Sequence, residues 1–337
     1  IITAPLIFPG LVDASDPIRY PSASLPYHKS QNRMDWYDQG FYLQSNYRLN
    51  NQNIFHLGAR RDYNSAYGAA NTFRASYVNH FKKITFKAMY GEAFQEPVPR
   101  NLYGGWTGSG SDPDLKPERS QNLETNIHYA TSNFQSLIGL YRVQTYNSII
   151  TYTGGAKNAG NREVIGLDLY VFKNFPLAGF RKLNAWAYYS TIFKEEEEKF
   201  DAYGNSTGYG SIGDLAHHKI FAGLTAIVNK YFSVNLRNRY FSQRATVSTN
   251  PFRTIDGYLT TDANIMFTNI LMDGFNIALK IDNVFDAKYF HTGLREADSG
   301  ETPGTWDGYA FNGSKGWYNS LLQQPHRFFL VSIRLDF

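Results

Sequence analysis

The chain has 337 residues, a formal net charge of +4, 25 Tyr, 25 Phe and no cysteine. Its mean hydropathy is −0.42, and no run approaches the roughly 18 apolar residues that a membrane helix needs, which excludes helical spans but not strands that alternate apolar and polar. No clustered Lys/Arg tract points to nucleic acid, and the lack of cysteine excludes a disulfide framework.

The dominant pattern along the chain has period two, the signature of strands with two unlike faces. In 41–50, Phe41, Leu43, Tyr47 and Leu49 alternate with Tyr42, Gln44, Asn46 and Arg48. In 122–130, Leu123, Thr125, Ile127 and Tyr129 oppose Asn122, Glu124, Asn126 and His128. Further on, Phe232, Val234 and Leu236 oppose Asn235, Arg237 and Arg239, and Phe275, Ile277, Leu279 and Ile281 oppose Asn276, Lys280 and Asp282. The chain ends with Phe329, Val331, Ile333, Leu335 and Phe337 against Ser332, Arg334 and Asp336. The pattern predicts about thirteen strands, centred on Leu43, Leu57, Ser76, Lys87, Asn126, Leu140, Leu169, Tyr188, Leu224, Leu236, Asn264, Leu279 and Ser332.

The predicted connections alternate in length. Short ones fall at 49–53, 80–83, 130–133, 174–181, 229–231 and 271–274, and long ones at 62–73, 94–120, 146–162, 194–218, 242–257 and 291–324. An outer-membrane barrel puts short turns in the periplasm and long loops outside. Residues 1–38 then form an extracellular segment and residues 39–337 a carboxy-terminal part of the barrel. A complete barrel of this kind has an even number of strands, and roughly nine more would make the 22 of a barrel with a plugged lumen. The fold expected is therefore all-β, an antiparallel transmembrane barrel.

Face chemistry supports that expectation. One face collects Glu124, His128, Arg142, Asp168, Arg237, Arg239, Lys280, Arg334 and Asp336. A wet lumen tolerates such a set, whereas the interior of a filled barrel does not. A soluble sheet with one solvated face has the same alternation. Turn asymmetry and aromatic pairs near strand ends, such as Tyr231–Phe232 and Tyr289–Phe290, favour the membrane.

Several stretches resemble the TonB-dependent receptor barrel. Tyr90-Gly-Glu-Ala-Phe-Gln-Glu-Pro97, then Leu102-Tyr103, then Asp112-Pro-Asp-Leu-Lys-Pro-Glu-Arg-Ser120 is similar to the family's "G-x-A-F-R-x-P", "L-Y" and "N-P-x-L-K-P-E". Ile281-Asp-Asn-Val-Phe-Asp-Ala-Lys-Tyr289 is similar to "N-L-F-D-K-x-Y". Gly166-Leu-Asp168 resembles "G-x-E", and the terminal Phe337 resembles the barrel-insertion signal of outer-membrane proteins. The residues carrying these matches, Phe94, Pro97, Pro113, Leu115, Pro117, Glu118, Asn283, Phe285, Asp286, Tyr289 and Phe337, read as structural. Asn283 and Asp286 are expected to shape a bend or bulge at a strand end.

The resemblance implies an outer-membrane receptor that imports a scarce small ligand, such as a siderophore, a corrinoid or a sugar, without covalent chemistry. It implies partners as well: outer-membrane lipid, a plug domain and upstream strands, and TonB with its inner-membrane energising complex. No cofactor and no nucleic acid are expected. Loop position nominates Arg100, Tyr103, Trp106, Tyr152, Arg295 and Trp306 as ligand contacts. No His lies in 98–111, where haem receptors of the family usually carry one. His217-His218 and the Glu195–Glu198 run share a predicted loop and form a metal candidate, against which stands the ordinary solvated acidic loop. The rival readings are a passive porin, an outer-membrane hydrolase, for which His28-Lys-Ser30 is the sole H-x-S, and a soluble carbohydrate-binding β-protein.

Overall fold

A computed structural model of the chain describes residues 2–5, 33–103, 111–152, 154–246, 250, 252–293 and 321–336. Thirteen strands form one antiparallel path in which each pairs with the next. They are β1 (Asp38–Arg48), β2 (Asn53–Asn64), β3 (Gly68–Phe81), β4 (Ile84–Gln95), β5 (Glu118–Ala130), β6 (Phe134–Tyr152) and β7 (Gly155–Phe175). After them come β8 (Lys182–Phe200), β9 (His218–Ile227), β10 (Phe232–Phe241), β11 (Tyr258–Phe267), β12 (Phe275–Asp282) and β13 (Phe328–Leu335). Each of the thirteen predicted centres falls inside one of them. Ser206–Gly210 adds an arm beside the outer end of β8, and Ile2–Pro5 pairs with Arg33–Trp36 apart from the sheet. Among the described residues β1 and β13 each have one neighbour, so the path has two free edges.

The register fixes the faces, because directly opposed residues point the same way. One row across the sheet reads Phe86, Ile127, Ile138, Leu169, Tyr189, Ile220. Another reads Ala185, Leu224, Leu236, Ala263, Ile281, Phe329. Much of this face stays uncovered by protein: Ile127 and Ile138 are each 49% exposed, Leu43 76% and Ile333 67%, while the small Ala263 is buried. The opposite face carries rows such as Trp186, Gly223, Arg237, Asp262. On this polar face the Tyr141 ring lies across its partner Gly166 and the Trp186 indole across its partner Gly223, where any Cβ would collide with the ring. The sheet has no apolar core of its own. The buried cluster is Leu102, Leu115 and Ala156, with Ala66 and Ile149 packed on it, and it sits where the long connections gather.

Two expectations need correction. The predicted long loops at 62–73 and 146–162 are mostly strand: β2 and β3 are joined through 65–67, and β6 and β7 through 153–154. The ladder continues beyond the apolar band with polar side chains, so alternation of greasy residues ends before hydrogen bonding does. At ~3.3 Å per residue, the 21 residues of β7 far exceed a hydrocarbon layer of about 30 Å. Register breaks mark the change, with Phe193 bulged out of β8 and a shift between Thr145 and Ser148 in β6. Arg142 is the second correction. It pairs with Leu123 and Ile165, on the parity of Ile138 and Leu140 rather than of Asp168. It stands at the top of the apolar face in an ionic cluster, where Glu163 accepts from both Arg142 and Lys194 and Lys194 also holds Glu196 at 2.7 Å.

Face assignment makes a measurable statement. Leu140→Arg, in mid-band, is expected to cost about 2–4 kcal/mol in denaturant unfolding from lipid vesicles, whereas Ser76→Arg on the polar face costs little. Equal costs at the two positions would contradict the assignment of faces.

Candidate functional site

The long-connection end is built first from the residues around the helix α1 (Pro99–Tyr103). Proline suits the first helical turn because its missing N–H has no partner to lose there. Leu102 of α1 is buried against Leu115, and Asp112 N–H donates to Asn101 O at 2.8 Å, which ties both ends of the 96–117 connection together. Pro97 and Pro117 are buried, Pro113 is exposed and Phe94 is half-buried. Glu118 caps the neighbouring strand, accepting from Ile149 N–H at 2.9 Å. A small cavity of about 130 Å³ lies beside this packing, lined by Trp36, Tyr67, Glu96, Pro97 and Leu102 among others.

Of the nominated ligand contacts, Arg100 lies exposed on α1 and Tyr103 is its last residue. Tyr152 is the end residue of β6 rather than part of a loop; Gly204 approaches its ring, and Lys157 Nζ lies 5.7 Å from the ring centre. Trp106, Arg295 and Trp306 lie outside the described residues, as does Phe337.

A cavity of about 710 Å³ opens on the polar face at the outer ends of β10 to β13. Its lining includes Arg237, Arg239, Lys280, Tyr289, His326 and Arg327. Beneath it Asp262, with a side chain only 8% exposed, accepts from Arg237 at 3.0 Å, from Arg239 at 3.1 Å and from Asn283 N–H at 3.1 Å. Two guanidinium groups on one carboxylate leave a net positive charge facing the opening. Lys280 is balanced by Asp282 at 2.7 Å, while the Arg327 guanidinium donates to Val284 O at 3.3 Å, lies 5.8 Å from the Phe329 ring centre and acts on Asp286.

The bend after β12 shapes one wall. Asn283 and Asp286 both have positive φ, 53° and 52°, a region Asn and Asp tolerate better than most residues. The Asn283 side chain brackets Ala287, accepting from its N–H and donating to its carbonyl, both at 2.9 Å. Asp286 accepts from Arg327 N–H at 2.8 Å and draws in His326 at 3.2 Å. Phe285 is left 76% exposed. The bend delivers Tyr289 against Tyr258, with ring centres 4.4 Å apart, and His291 completes the group, 3.2 Å from the Tyr258 hydroxyl. Close by, the buried Arg244 donates to Asp214 at 2.6 Å. Reading the sequence alone singled out Tyr289 but not Tyr258, His291, Arg244 or Asp214. These come from four separate segments, and no spacing signal links them.

A second, acidic recess of about 260 Å³ lies further round the same face, lined by Asn122, Glu124, Gly139, Tyr141, Val143 and Asp168. Glu124 accepts from Asn126 at 2.7 Å. Asp168 Oδ1 is buried and has no hydrogen-bond partner among the described residues. His217 faces Glu195 at 3.4 Å, while His218 turns to the Tyr189 hydroxyl at 2.8 Å, so the adjacent pair does not converge. Among the described residues no group of three His, Asp or Glu side chains is placed to hold a metal ion.

The family model described as "TonB dependent receptor-like, beta-barrel" matches residues 9–284. Solved structures with the same fold include a variant of the ferric enterobactin receptor PfeA from Pseudomonas aeruginosa, with TM-score 0.69 and 14% identity over 93% of this chain and 47% of that one. The siderophore receptor PirA from Acinetobacter baumannii gives 0.69 and 14% over 94% and 48%. The ferric-catecholate import receptor Fiu from E. coli K12 gives 0.65 and 15% over 90% and 45%. The chain thus spans about half the length of these structures. Among curated proteins none matches. The fold is the antiparallel transmembrane β-barrel of that family, with thirteen strands of its wall present here.

The His291 group has a testable charge state. One edge of the ring stays exposed, but the water it loses on packing, and next the Arg244 charge, hold its pKa below the ordinary value. A lowered folded value means that folding favours the neutral ring. The resulting stabilisation is present above the unfolded value of about 6.5 and is lost as pH falls from there to the folded value. The His291 ring resonance should titrate below about 6.5, the unfolded value, and Arg244→Gln should move the midpoint upward; a midpoint at or above the unfolded value contradicts the packing.

Proposed function

We propose, on the premise that the chain belongs to the TonB-dependent receptor β-barrel family, that it forms part of an outer-membrane receptor importing a ferric siderophore or a similar small anionic ligand. The family is one of outer-membrane transport receptors of Gram-negative bacteria, not of enzymes. One observation carries the reading most: an apolar face that protein leaves largely uncovered, backed by a charged face with a net-positive cavity at its outer end. Ferric complexes of catecholate or hydroxamate ligands carry oxygen-rich, often anionic surfaces. Arg237, Arg239 and Arg327 offer donors for such a surface, and Tyr289 and Tyr258 offer rings. Arg100, Tyr103, Trp106, Tyr152, Arg295 and Trp306 belong to the same reading as outer contacts.

Partners follow from the unsatisfied groups. The free edges of β1 and β13 present unpaired backbone that cannot face lipid, because each unmet group costs several kcal/mol there. Barrel strands outside these 337 residues, in the same or a separate polypeptide, supply the missing ladders. The unpartnered Asp168 Oδ1 faces a lumen filled by a plug that brings cationic or N–H donors. Residues 1–38 form an extracellular segment and 39–337 the barrel wall. Energy for release of the ligand into the periplasm reaches the plug through TonB.

The test is uptake of a radiolabelled ferric siderophore by iron-starved cells that express the full receptor or lack it. Uptake should require the receptor and should collapse when a protonophore de-energises the inner membrane. Arg237→Ala with Arg239→Ala should weaken binding roughly tenfold or more, since charge-assisted hydrogen bonds contribute about 1.5–3 kcal/mol each. Receptor-dependent flux that ignores the protonophore would point to a passive porin instead.

A further inference from the structure

We propose that the short-turn end of the sheet is a docking surface for anionic phospholipid headgroups, centred on Lys173, Arg181 and Lys230. The proposal rests on the membrane reading above, which puts this end at the periplasmic leaflet. It uses none of the residues of the outer cavity.

Lys173 is the first observation. It occupies the apolar face, opposite Phe134 on one side and Ala185 on the other, two residues from Val171 and from Phe175. A cation on the face that meets lipid must reach headgroup level, and its long stem allows that. Its Nζ lies 5.5 Å from the centre of the Phe175 ring. The arrangement recurs on other short turns: Lys230 lies 4.8 Å from the Tyr231 ring centre and Lys82 5.4 Å from that of Phe81. Each pair holds an ammonium group over an aromatic ring at the band's edge, where rings favour the membrane interface.

The second observation is clustering. Arg181 and Lys182 follow the turn that begins after Phe175, and Arg181 N–H donates to Ile227 O at 2.8 Å, which binds this turn to the next. The Arg181 charge is close enough to act on Lys230. Three cations, Lys173, Arg181 and Lys230, therefore sit on two adjacent turns, and Lys182 has the parity of the polar face. Their counter-charges are few. Asp273 acts on Lys230 from the following turn, and Asp336 is already held by Arg334 at 2.6 Å. Among the described residues none of these three forms an ion pair. At the opposite end several cations are met by carboxylates, as Arg142 and Lys194 are by Glu163 and Arg162 by Glu197, while Arg61 and Arg119 turn to Asn71.

The third observation selects the occupant. Leu177 is 53% exposed and Phe180 37%, both on the turn that ends at Arg181, and Leu271, 78% exposed, lies on the turn after that of Lys230. A soluble acidic partner would satisfy the charges but leave the greasy turns in water. A diacyl lipid with an anionic phosphate meets both demands at once, its chains on the band and its phosphate among the cations.

The experiment places the full-length receptor in phosphatidylcholine bilayers doped with spin-labelled phosphatidylglycerol or spin-labelled phosphatidylcholine. Electron paramagnetic resonance then reads the fraction of each label immobilised at the protein. The expected result is a several-fold preference for the anionic label that falls with added salt. The variant carrying Lys173→Gln, Arg181→Gln and Lys230→Gln should fall towards parity while retaining the heat-modifiable gel mobility of a folded barrel. Equal immobilisation of the two labels by the native receptor, or an unchanged preference in the folded variant, overturns the proposal. If the variant fails to fold, Lys173→Gln and Lys230→Gln are read singly against the same criterion. Absence of any immobilised lipid would overturn the membrane reading, and this proposal with it.

Discussion

The whole structure depends on one constraint: in hydrocarbon a backbone N–H or C=O has no water to turn to. The chain answers with an antiparallel ladder carried from β1 to β13 through successive hairpins. Once the ladder is fixed, parity is fixed, and one residue of slip would send every greasy side chain inward. The row from Ala185 to Phe329 crosses six strands without a charged residue. That continuity is the thermodynamic content of the sheet, since its apolar residues point outward and meet no opposing protein layer among the described residues. They gain from lipid. This is why the described buried apolar cluster is small and lies at the loop end rather than within the sheet.

Polar residues on the other face carry a different kind of order. With no apolar core, uniqueness on that side comes from satisfied hydrogen bonds and shape. Asp262 gathers two guanidinium groups and a backbone N–H, and so joins β10, β11 and the bend after β12. Tyr141 over Gly166 and Trp186 over Gly223 fill the gaps that glycine leaves between neighbouring strands. Glycine here does not relax the backbone. It makes room for a ring on the adjacent strand, and the ring shields the ladder from competing water.

Much of this was legible from residue order because period two is local. Strand centres such as Leu43, Asn126 and Leu279 follow from eight or ten neighbours each, and the register then assembles them. Three features escaped for a common reason. The extensions of β6 and β7 are strand without greasy alternation, so the sequence signal ended while the ladder went on. Arg142 has the parity of lipid-facing residues but sits above them, and charge alone cannot report height along a strand. The five-residue helix α1 is too short for a helical period to register. At the outer site the bend residues Asn283 and Asp286 were visible as turn formers. The grouping of Tyr258, Tyr289, His291 and Arg244 was not, because its members meet only after the sheet has brought β11 beside β12 and beside the connections that flank them.

Height along the strand also explains how one sheet serves three environments. Moving outward on the apolar face, the chain passes from Lys173 and Phe175 through Leu169 and Leu167 to the cluster of Arg142, Glu163, Lys194 and Glu196. At the inner end the cations lack carboxylate partners. In the middle there are no charges to place. At the outer end every cation of the cluster is paired within the sheet itself. A sheet that simply avoided charge near lipid would show no such gradient. The cluster around Glu163 brings its own counter-charges, whereas Lys173 at the inner rim takes its counter-charge from what lies against it. The same accounting holds on the polar face, where Asp168 waits for a donor and the Asp262 node holds positive charge to spare. Lipid, lumen and ligand are thus each written into the wall as an imbalance that the wall does not resolve alone.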